Sequence, residues 1–541
     1  MIEVKIRRIK IIFLITLALI LPLLVFGVMN LDGDYYWQKK YLSMQWLFLK
    51  TKIEYLVQNS QLLANGSQNN LKPMEAGKLA RSVPVLLYHG VIEDPDWTPD
   101  DVNIRLDDFK KQMTLLKSLG YETVSLDDFL AFLRGEKNLP AKSFLLTFDD
   151  GRKDSYYPVD PILKALGYRA VMFVITGRSL DQDKRANTFH LDEVELKKMA
   201  QSGRWEIGSH TENGHDFERI DAQGSQGHFL SNKLWLKYEG RSETEEEYRR
   251  RIEKDLAGSK SDIEKKLGTP VKAFAYPFGD FGTGSVNFPA SRYVVPPLVQ
   301  KIFPYSFYQA RESDYIGNYP GNQFLLKRLT VNSQIAPDKL ATNLLNSQDK
   351  TISLFEDKFQ NDKGWIEGWG KRQFKDGLML TGPTNSEDSS LTFLNGSYLW
   401  KNYSFDSEIQ LIKGNAFGLL ARYQDGNNYA SCDFSENELS IDEHREGIDY
   451  TLAQIPLSSQ IFFSRTNVGV SVNEQGISCL VNGKTVLAAS LDSKLSRGGI
   501  GFKTWDSKLF NSELLVKKVN VSNLSIFDGA SFRGTIGQNQ E

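Results

Sequence analysis

Cysteine is nearly absent from this sequence: only Cys432 and Cys479 occur among 541 residues. Two thiols are too few for the disulfide framework that stabilises small secreted domains. They can form one bridge if the compartment is oxidising, and the sequence leaves both redox states open. Hydrophobic cores must therefore hold the fold, and a chain of this length is expected to form two or more domains.

A surplus of either charge is also lacking, because 65 Lys and Arg residues balance 67 Asp and Glu residues to a net charge of −2. No block of basic residues recurs beyond the N-terminus. Proteins that bind nucleic acid concentrate positive charge on their surface. We therefore do not expect nucleic acid as a partner.

Long uncharged apolar runs are rare, and the exception lies at the N-terminus. Residues 11–29 are long enough to cross a bilayer as a helix, and basic residues precede them. The positive-inside rule then puts the N-terminus in the cytoplasm and the rest of the chain outside. A cleaved signal peptide is the alternative, but Val25 and Gly27 are a weak substitute for an Ala-x-Ala site. We expect an uncleaved single-pass anchor over residues 1–34, then a stalk and linker over 35–82.

Residues 83–345 show an α/β pattern. Apolar runs of strand length alternate with helical patterns, and these runs lie at 83–88, 144–148, 170–175, 206–209 and 273–276. Continuous apolar strands indicate burial on both faces, which predicts a parallel sheet or barrel. We interpret residues 242–267 as a charged, solvated helix and residues 216–241 as a long loop beside the site.

Residues 352–527 show a different pattern, in which alternating strands dominate and helical segments are nearly absent. Asp425-Gly426 and Asn482-Gly483 are signals for tight hairpins. This region therefore predicts an antiparallel β-sandwich of the jelly-roll type.

Two of the apolar runs end in residue types that bind metal ions. Asp149 and Asp150 follow the run at 144–148, and His210 follows the run at 206–209, with His215 close behind. In a parallel barrel the carboxyl ends of the strands share one face. One carboxylate and two imidazoles there suit a divalent ion and leave positions open for water and substrate. Separate hydrogen bonding of each histidine is the alternative.

Asp149 precedes the candidate ligand Asp150 and lies on the opposite side of an extended chain, where it can act as a base toward water at the ion. Residues five apart do not share one face of a helix or strand, so His210 and His215 can converge only through a loop at 212–214. A further apolar run, 273–276, leads into a Pro-Phe-Gly turn. Such a turn can aim a backbone N–H at the oxyanion of a tetrahedral intermediate.

Together these elements resemble the polysaccharide deacetylases of the NodB-homology type, carbohydrate esterase family 4. Residues 147–151 match the first motif of the family, and residues 277–279 match the core of the third. Residues 210–215 match the second motif in the longer-spaced form of the poly-N-acetylglucosamine deacetylase subgroup, and residues 83–89 are similar to its opening strand. The resemblance implies a distorted (β/α) barrel and metal-dependent removal of N-acetyl groups from N-acetylglucosamine units of a surface or cell-wall polysaccharide.

The resemblance also implies roles for individual residues. Asp149 is expected to be the general base, and the backbone N–H of Phe278 is expected to stabilise the oxyanion. Asp150, His210 and His215 are expected to bind the metal, which the family implies is zinc.

Two departures from the family pattern concern the base and the acid. Residues 273–275 lack the arginine that orients the base in many members, and no late Leu-x-x-His motif supplies the general acid. His89, at the end of the first strand, is our candidate acid, with a packing role as the alternative. Arg328 can replace the missing arginine, although a structural salt bridge is the favoured interpretation.

The C-terminal region is similar to concanavalin-like jelly rolls that accompany carbohydrate enzymes, and it is expected to hold polymer or to position the barrel. Its tryptophans could stack on sugar rings, but most such residues belong to cores. We therefore expect a membrane-anchored, extracytoplasmic polysaccharide deacetylase. The alternatives are a non-catalytic glycan-binding protein with a degenerate barrel, and a metal amidohydrolase that acts on a non-sugar amide.

Overall fold

The structure is a computed structural model of the chain. It describes residues 35–64, 79–180, 189–311, 314–321, 324–350, 352, 355–382, 389–457, 464–506 and 511–524. The chain divides into two compact units, Met1–Gln309 with Gly317–Thr342, and Ala310–Ile316 with Asn343–Glu541.

The first unit is built on a closed parallel barrel. Its strands are Val83–Tyr88 (β1), Ser143–Phe148 (β2), Ala170–Val174 (β3), Trp205–Ser209 (β4), Ala273–Ala275 (β5), Tyr305–Gln309 (β6) and Leu325–Thr330 (β7). Each strand pairs in parallel with the next along the chain, and β7 pairs with β1 to close the ring. The predicted barrel is confirmed, and β6 and β7 are strands that the sequence pattern did not reveal.

The interior of the barrel is filled from one end. Inward-facing residues in the first halves of the strands, including Val85, Leu145 and Ala273, share a core with the helix Leu126–Leu133. Phe129 of this helix stacks on Phe307 of β6, with the ring centroids 6.1 Å apart. The helix therefore closes the amino ends of the strands and leaves polar residues at their carboxyl ends.

Helices and short strands surround the barrel. The helices are Tyr35–Ala64 (α1), Leu106–Ser118 (α2), Leu126–Leu133 (α3), Asp160–Leu166 (α4), Thr176–Ser179 (α5), Glu193–Gln201 (α6), Glu245–Asp262 (α7), Ser291–Ile302 (α8) and Pro337–Asn346 (α9). The short strands are Val91–Ile92, Ile104–Arg105, Glu122–Thr123, Phe217–Arg219, Gln226–His228, Trp235–Leu236, Arg241–Ser242 and Gly317–Asn318.

The N-terminal part of the described chain is the helix α1. Glu54 of α1 pairs with Lys110 of α2 at 3.1 Å, and Thr51 is fully buried. Among the described residues, no helix is both long and apolar enough to cross a membrane. The anchor predicted over residues 1–34 lies outside the described residues.

Two interpretations of the barrel region were incomplete. Residues 216–241 are not a plain loop, because they contain two short hairpins. The helix α7 is not simply solvated, since one side of it is buried. The buried residues of this side are Tyr248, Ile252, Asp255, Leu256 and Ser259.

The second unit contains two antiparallel sheets, which confirms the predicted all-β region. One sheet contains Lys371–Phe374, Leu378–Thr381, Glu513–Asn523, Tyr403–Lys413, Thr466–Asn473, Gly476–Val481 and Lys484–Ala489, with Phe355–Asp357 beside Glu513–Asn523. The other contains Trp365–Trp369, Ser390–Leu394, Gly499–Trp505, Ala416–Asp425, Asn428–Ser435, Glu438–Arg445 and Ile448–Pro456.

The two sheets are joined covalently. Cys432 and Cys479 lie on different sheets, are both fully buried, and form a disulfide with a Cα–Cα distance of 5.8 Å. This settles the redox state that the sequence left open. Trp365 and Trp400 lie in the same core and are not available to stack on a sugar.

Candidate active site

The two adjacent carboxylates lie where β2 leaves the barrel. The backbone N–H of Asp149 donates to the carbonyl of Tyr88 on β1 at 3.2 Å, which continues the sheet by one residue. Asp150 then adopts a φ of 72°, and Gly151 a φ of 69°. A positive φ is costly for a residue with a side chain, and such strained residues recur at active sites. The sharp turn separates the directions of the two carboxylates.

The two histidines are brought together by the loop that follows β4. Thr211 has a φ of 77°, so the chain reverses directly after His210. His210 Nδ1 lies 2.7 Å from the carbonyl oxygen of Ala275 on β5, which leaves Nε2 for the site. His210 Nε2 and His215 Nε2 lie 3.6 Å and 3.2 Å from Asp150 Oδ1. One ligand atom from each of the three residues lies within 4.8 Å of the others.

The chemistry of this trio fits a divalent ion. Burial lowers the pKa of His210 to about 4, so its imidazole is neutral near pH 7 and offers a lone pair. Asp150 Oδ1 is buried and accepts no well-formed hydrogen bond, although His215 Nε2 is close to it. A carboxylate oxygen and two imidazole nitrogens turned toward one point are a common ligand set for zinc and similar ions.

The carboxylate of Asp149 is bound by Arg328, an arginine on the distant strand β7. Arg328 Nη1 and Nη2 donate to Asp149 Oδ1 and Oδ2 at 2.6 Å and 2.7 Å, and both side chains are almost fully buried. Burial opposes ionisation of Asp149, but the charge of Arg328 and its hydrogen bonds to the carboxylate outweigh burial and lower the pKa of this carboxyl. Asp149 Oδ2 lies 3.8 Å from His210 Nε2. Asp149 is thus ionised, fixed in orientation and adjacent to the ligand trio.

Arg328 forms a buried salt bridge, as the favoured interpretation held, and its replacement of the arginine that the family pattern includes before the Pro-Phe-Gly turn stays a prediction. The sequence left these two interpretations as rivals, but the partner of the salt bridge is the predicted base itself. The strand pattern contained a signal, since Leu326 and Arg328 are the buried residues of β7. An arginine at an inward position of a strand needs a buried partner.

Phe278 lies at the mouth of the site in a strained turn. Its φ is 59°, and the φ of Gly279 is 68°. Its ring centroid lies 4.6 Å from that of His215 and 4.5 Å from that of His228, against which it stacks. The side chain is 38% exposed, so one part of the ring is open to solvent beside His215 and His228. The role predicted for its backbone N–H stays a prediction.

His89 follows β1 directly, at the same end of the barrel. Its Nδ1 atom is buried and makes no hydrogen bond in the described structure. Burial lowers the pKa of His89, whereas the nearby charges of Asp150 and Asp149 oppose this shift. The residue is therefore beside the two carboxylates, and its role as an acid stays a prediction.

Sequence reasoning missed one pair of residues and one single carboxylate that support the site. His228 Nδ1 lies 2.7 Å from Asp280 Oδ2, directly behind the Phe278 turn. Asp255 of α7 accepts two N–H groups from the loop between the histidines. The signal for Asp255 was its position, because a carboxylate on the apolar side of a helix beside Ile252 must have an interior partner.

Comparisons with known proteins agree with the geometry. Residues 136–288 match the family described as Polysaccharide deacetylase. The chain is 30% identical over 203 residues to poly-beta-1,6-N-acetyl-D-glucosamine N-deacetylase from Escherichia coli K12, which covers 36% of this chain and 30% of that protein. The protein of the same name from Staphylococcus aureus strain MSSA476 is 31% identical over 171 residues, or 32% of this chain and 52% of the relative.

Solved structures give two further similarities. A de-N-acetylase from Aggregatibacter actinomycetemcomitans aligns with a TM-score of 0.41 and 24% identity, over 48% of this chain and 98% of that one. The carbohydrate binding module CBM66 from Bacillus subtilis aligns with a TM-score of 0.26 and 17% identity, over 30% of this chain and 96% of that one. The chain spans about half or less of the length of the two curated relatives named above. The similarity to the polysaccharide deacetylase family thus extends over residues 136–288.

Proposed function

We propose that this protein hydrolyses the N-acetyl groups of N-acetylglucosamine units in a surface or cell-wall polysaccharide. The observation that carries the proposal is the buried, ionised Asp149, which Arg328 holds beside the trio of Asp150, His210 and His215. The names of the relatives support N-acetylglucosamine polymers as the substrate class. A protein that only bound glycans would have no use for a paired buried base, since a buried charge is costly.

The ligand trio would hold a divalent ion, for which zinc is our proposal. When bound, the ion would act as a Lewis acid on the acetyl carbonyl and lower the pKa of a water molecule beside it. The orientation of His210 is already set, because Nδ1 is engaged with the carbonyl of Ala275 and only Nε2 faces the site.

The residues around the ion then divide the work of hydrolysis. Asp149 accepts a proton from water as the water oxygen adds to the acetyl carbon. The N–H of Phe278 donates to the acetyl oxygen as it becomes negative. The carbon–nitrogen bond breaks as the nitrogen takes a proton from protonated His89, the proton that Asp149 accepted from water replaces the one that His89 gave up, and acetate and a free amine result. Arg328 keeps the base ionised between turnovers and prevents its rotation.

The location proposed for the enzyme is the outer side of a cell membrane, with a single N-terminal anchor. The apolar run at 11–29 and the basic residues before it support this orientation. The disulfide between Cys432 and Cys479 supports it independently, because structural disulfides persist in oxidising compartments.

The test is acetate release from N-acetylglucosamine oligomers by the purified full-length chain with added zinc. Asp149→Asn keeps the shape of the side chain and should reduce kcat by about 10²- to 10⁴-fold. Asp128→Asn is the control, because Asp128 is a partly exposed carboxylate that pairs with Lys137. Unchanged acetate release by Asp149→Asn would refute the role of Asp149 as the general base.

Other outcomes distinguish the rival functions. Release from simple amides but not from sugar oligomers would indicate an amidohydrolase with a non-sugar substrate. Binding of oligomers without any release would indicate a glycan-binding protein.

A further inference from the structure

The loop that carries the two histidines is held by a buried carboxylate from α7. Asp255 Oδ2 accepts the backbone N–H of Glu212 at 3.1 Å, and Oδ1 accepts the backbone N–H of Asn213 at 2.8 Å. Both N–H groups lie midway between His210 and His215. Asp255 is only 6% exposed. One side chain therefore binds the two consecutive peptide groups that connect the two histidine ligands.

The same loop is held from its other side by α5. The carbonyls of Thr211 and Glu212 accept the N–H groups of Thr176 and Gly177 at 3.1 Å and 2.8 Å. Donors and acceptors of the loop are thus bound from opposite directions. A loop held in this way has few alternative conformations, and the strained φ of Thr211 can be maintained.

The helix α7 fits closely against this loop. A Cβ atom at Gly258 would lie 2.0 Å from Glu212 Oε2, so the absence of a side chain lets the helix approach. One residue further on, Ser259 Oγ lies 2.6 Å from Ser209 Oγ on β4. Asp255, Gly258 and Ser259 are three and four positions apart and therefore lie on one side of the helix.

The choice of a carboxylate at this position is informative. Asp255 forms no ion pair in the part of the chain that the structure describes, and burial raises its pKa to about 6. A buried charge without a cation is costly. An asparagine would offer one accepting oxygen in place of two and would turn an N–H donor toward the other peptide N–H. The carboxylate of Asp255 provides a separate oxygen for each of the two peptide N–H groups.

We propose that Asp255 is a positioning residue of the candidate metal site: it fixes the peptide groups of Glu212 and Asn213 and thereby sets the separation of His210 and His215. The proposal rests on the proposed function, since it assumes that the histidines bind an ion. Asp255 itself touches neither the ion nor the substrate. Its effect is expected in the affinity and geometry of the site.

The experiment compares metal binding by full-length wild type, Asp255→Asn and Glu253→Gln. Glu253→Gln is the matched control, because it removes a carboxylate two residues away that pairs with Lys301 instead of the loop. Each protein is freed of metal with a chelator and titrated with Co²⁺ at pH 7.5 by calorimetry. Asp255→Asn should bind Co²⁺ about tenfold more weakly, as is typical when a residue that orients metal ligands is changed. Glu253→Gln should remain within twofold of wild type.

A second readout separates positioning from general stability. The visible absorption spectrum of bound Co²⁺ reports coordination geometry. At saturating Co²⁺, the spectrum of Asp255→Asn should differ from wild type, and that of Glu253→Gln should not. A folded Asp255→Asn protein with the wild-type affinity and spectrum would overturn the proposal, even if its Tm were lower. The same holds if wild type binds no Co²⁺.

A second variant keeps the test possible if Asp255→Asn does not fold. Asp255→Ser removes the charge and keeps a small acceptor, and it is expected to show the same loss of Co²⁺ affinity. If neither variant folds, Asp255 serves the fold and the proposal fails. Wild type that binds Co²⁺ but releases no acetate would refute the proposed function and leave the role of Asp255 intact.

Discussion

The pair of Asp149 and Arg328 allows a quantitative test of how the site is held. Arg328→Met removes the guanidinium but keeps much of the side-chain volume. The carboxylate of Asp149 is then left unpaired at about 1% exposure. Removing one partner of a buried pair costs about 3–5 kcal/mol, because the remaining charge has lost its compensation. We therefore expect the free energy of unfolding of the barrel to fall by about 4 kcal/mol, which lowers Tm by about 10 °C.

The assay is thermal unfolding of the metal-free full-length chain near pH 7.5, followed by circular dichroism. Arg204→Met is the control, since Arg204 also makes a two-point contact, to Asp160, but is 25% exposed. Its expected cost is smaller than that of Arg328→Met, because water reaches Arg204 and because Asp160, although 8% exposed, keeps the hydrogen bond from Trp205 Nε1. The double variant Asp149→Asn/Arg328→Met should be more stable than Arg328→Met alone, because no buried charge is left.

Two results would contradict this reasoning. One is a Tm of Arg328→Met close to that of wild type. The other is a double variant whose loss equals the sum of the two single losses, since this would mean that the two charges do not interact. Acetate release by Arg328→Met should also fall, because the base is no longer held in one orientation.

Three further predictions concern other parts of the chain. Cys479→Ser opens the bond between the two sheets and should reduce the stability of the second unit by about 2–4 kcal/mol, measured against wild type with and without reductant. In urea unfolding, Gly279→Ala should destabilise the barrel more than Gly167→Ala. Both glycines have a φ near 70°, but a Cβ at position 279 would lie 2.9 Å from a backbone nitrogen, whereas a Cβ at position 167 would meet nothing within 4 Å. Equal losses of stability would show that the close approach at position 279 has no effect. Burial raises the pKa of Asp255 from 3.8 to about 6. The metal-free wild type should therefore lose about 3 kcal/mol of stability relative to Asp255→Asn as the pH rises from about 4 to about 6. If the free energies of unfolding of the two proteins change in parallel with pH, the raised pKa is excluded.

The strand pattern of the barrel shows what local information can predict. The runs at 83–88 and 144–148 correspond closely to β1 and β2. The strands β6 and β7 were missed, because they are only partly buried and contain polar residues such as Gln309 and Lys327. A continuous apolar run marks a strand only where both faces are covered.

The helix α7 shows where composition misleads. Its Glu and Arg residues indicated a solvated surface, and exposed pairs such as Arg250 with Glu246 do lie there. The opposite side nevertheless packs against the histidine loop through Asp255. An acidic residue can form an exposed ion pair or a buried hydrogen bond, and the side of the helix on which it lies determines which of the two it forms.

The sequence by itself determined the order of the barrel and the sandwich, and it identified the residues that approach one another at the barrel mouth. These features are local, since a strand and the polar residue at its end are neighbours along the chain. Tertiary structure alone decided that Arg328 meets Asp149 across 179 residues, that Asp255 reaches the loop between the histidines, and that Cys432 bonds to Cys479. Such contacts depend on the closure of the barrel and the packing of the sheets, and no short stretch of sequence contains that information.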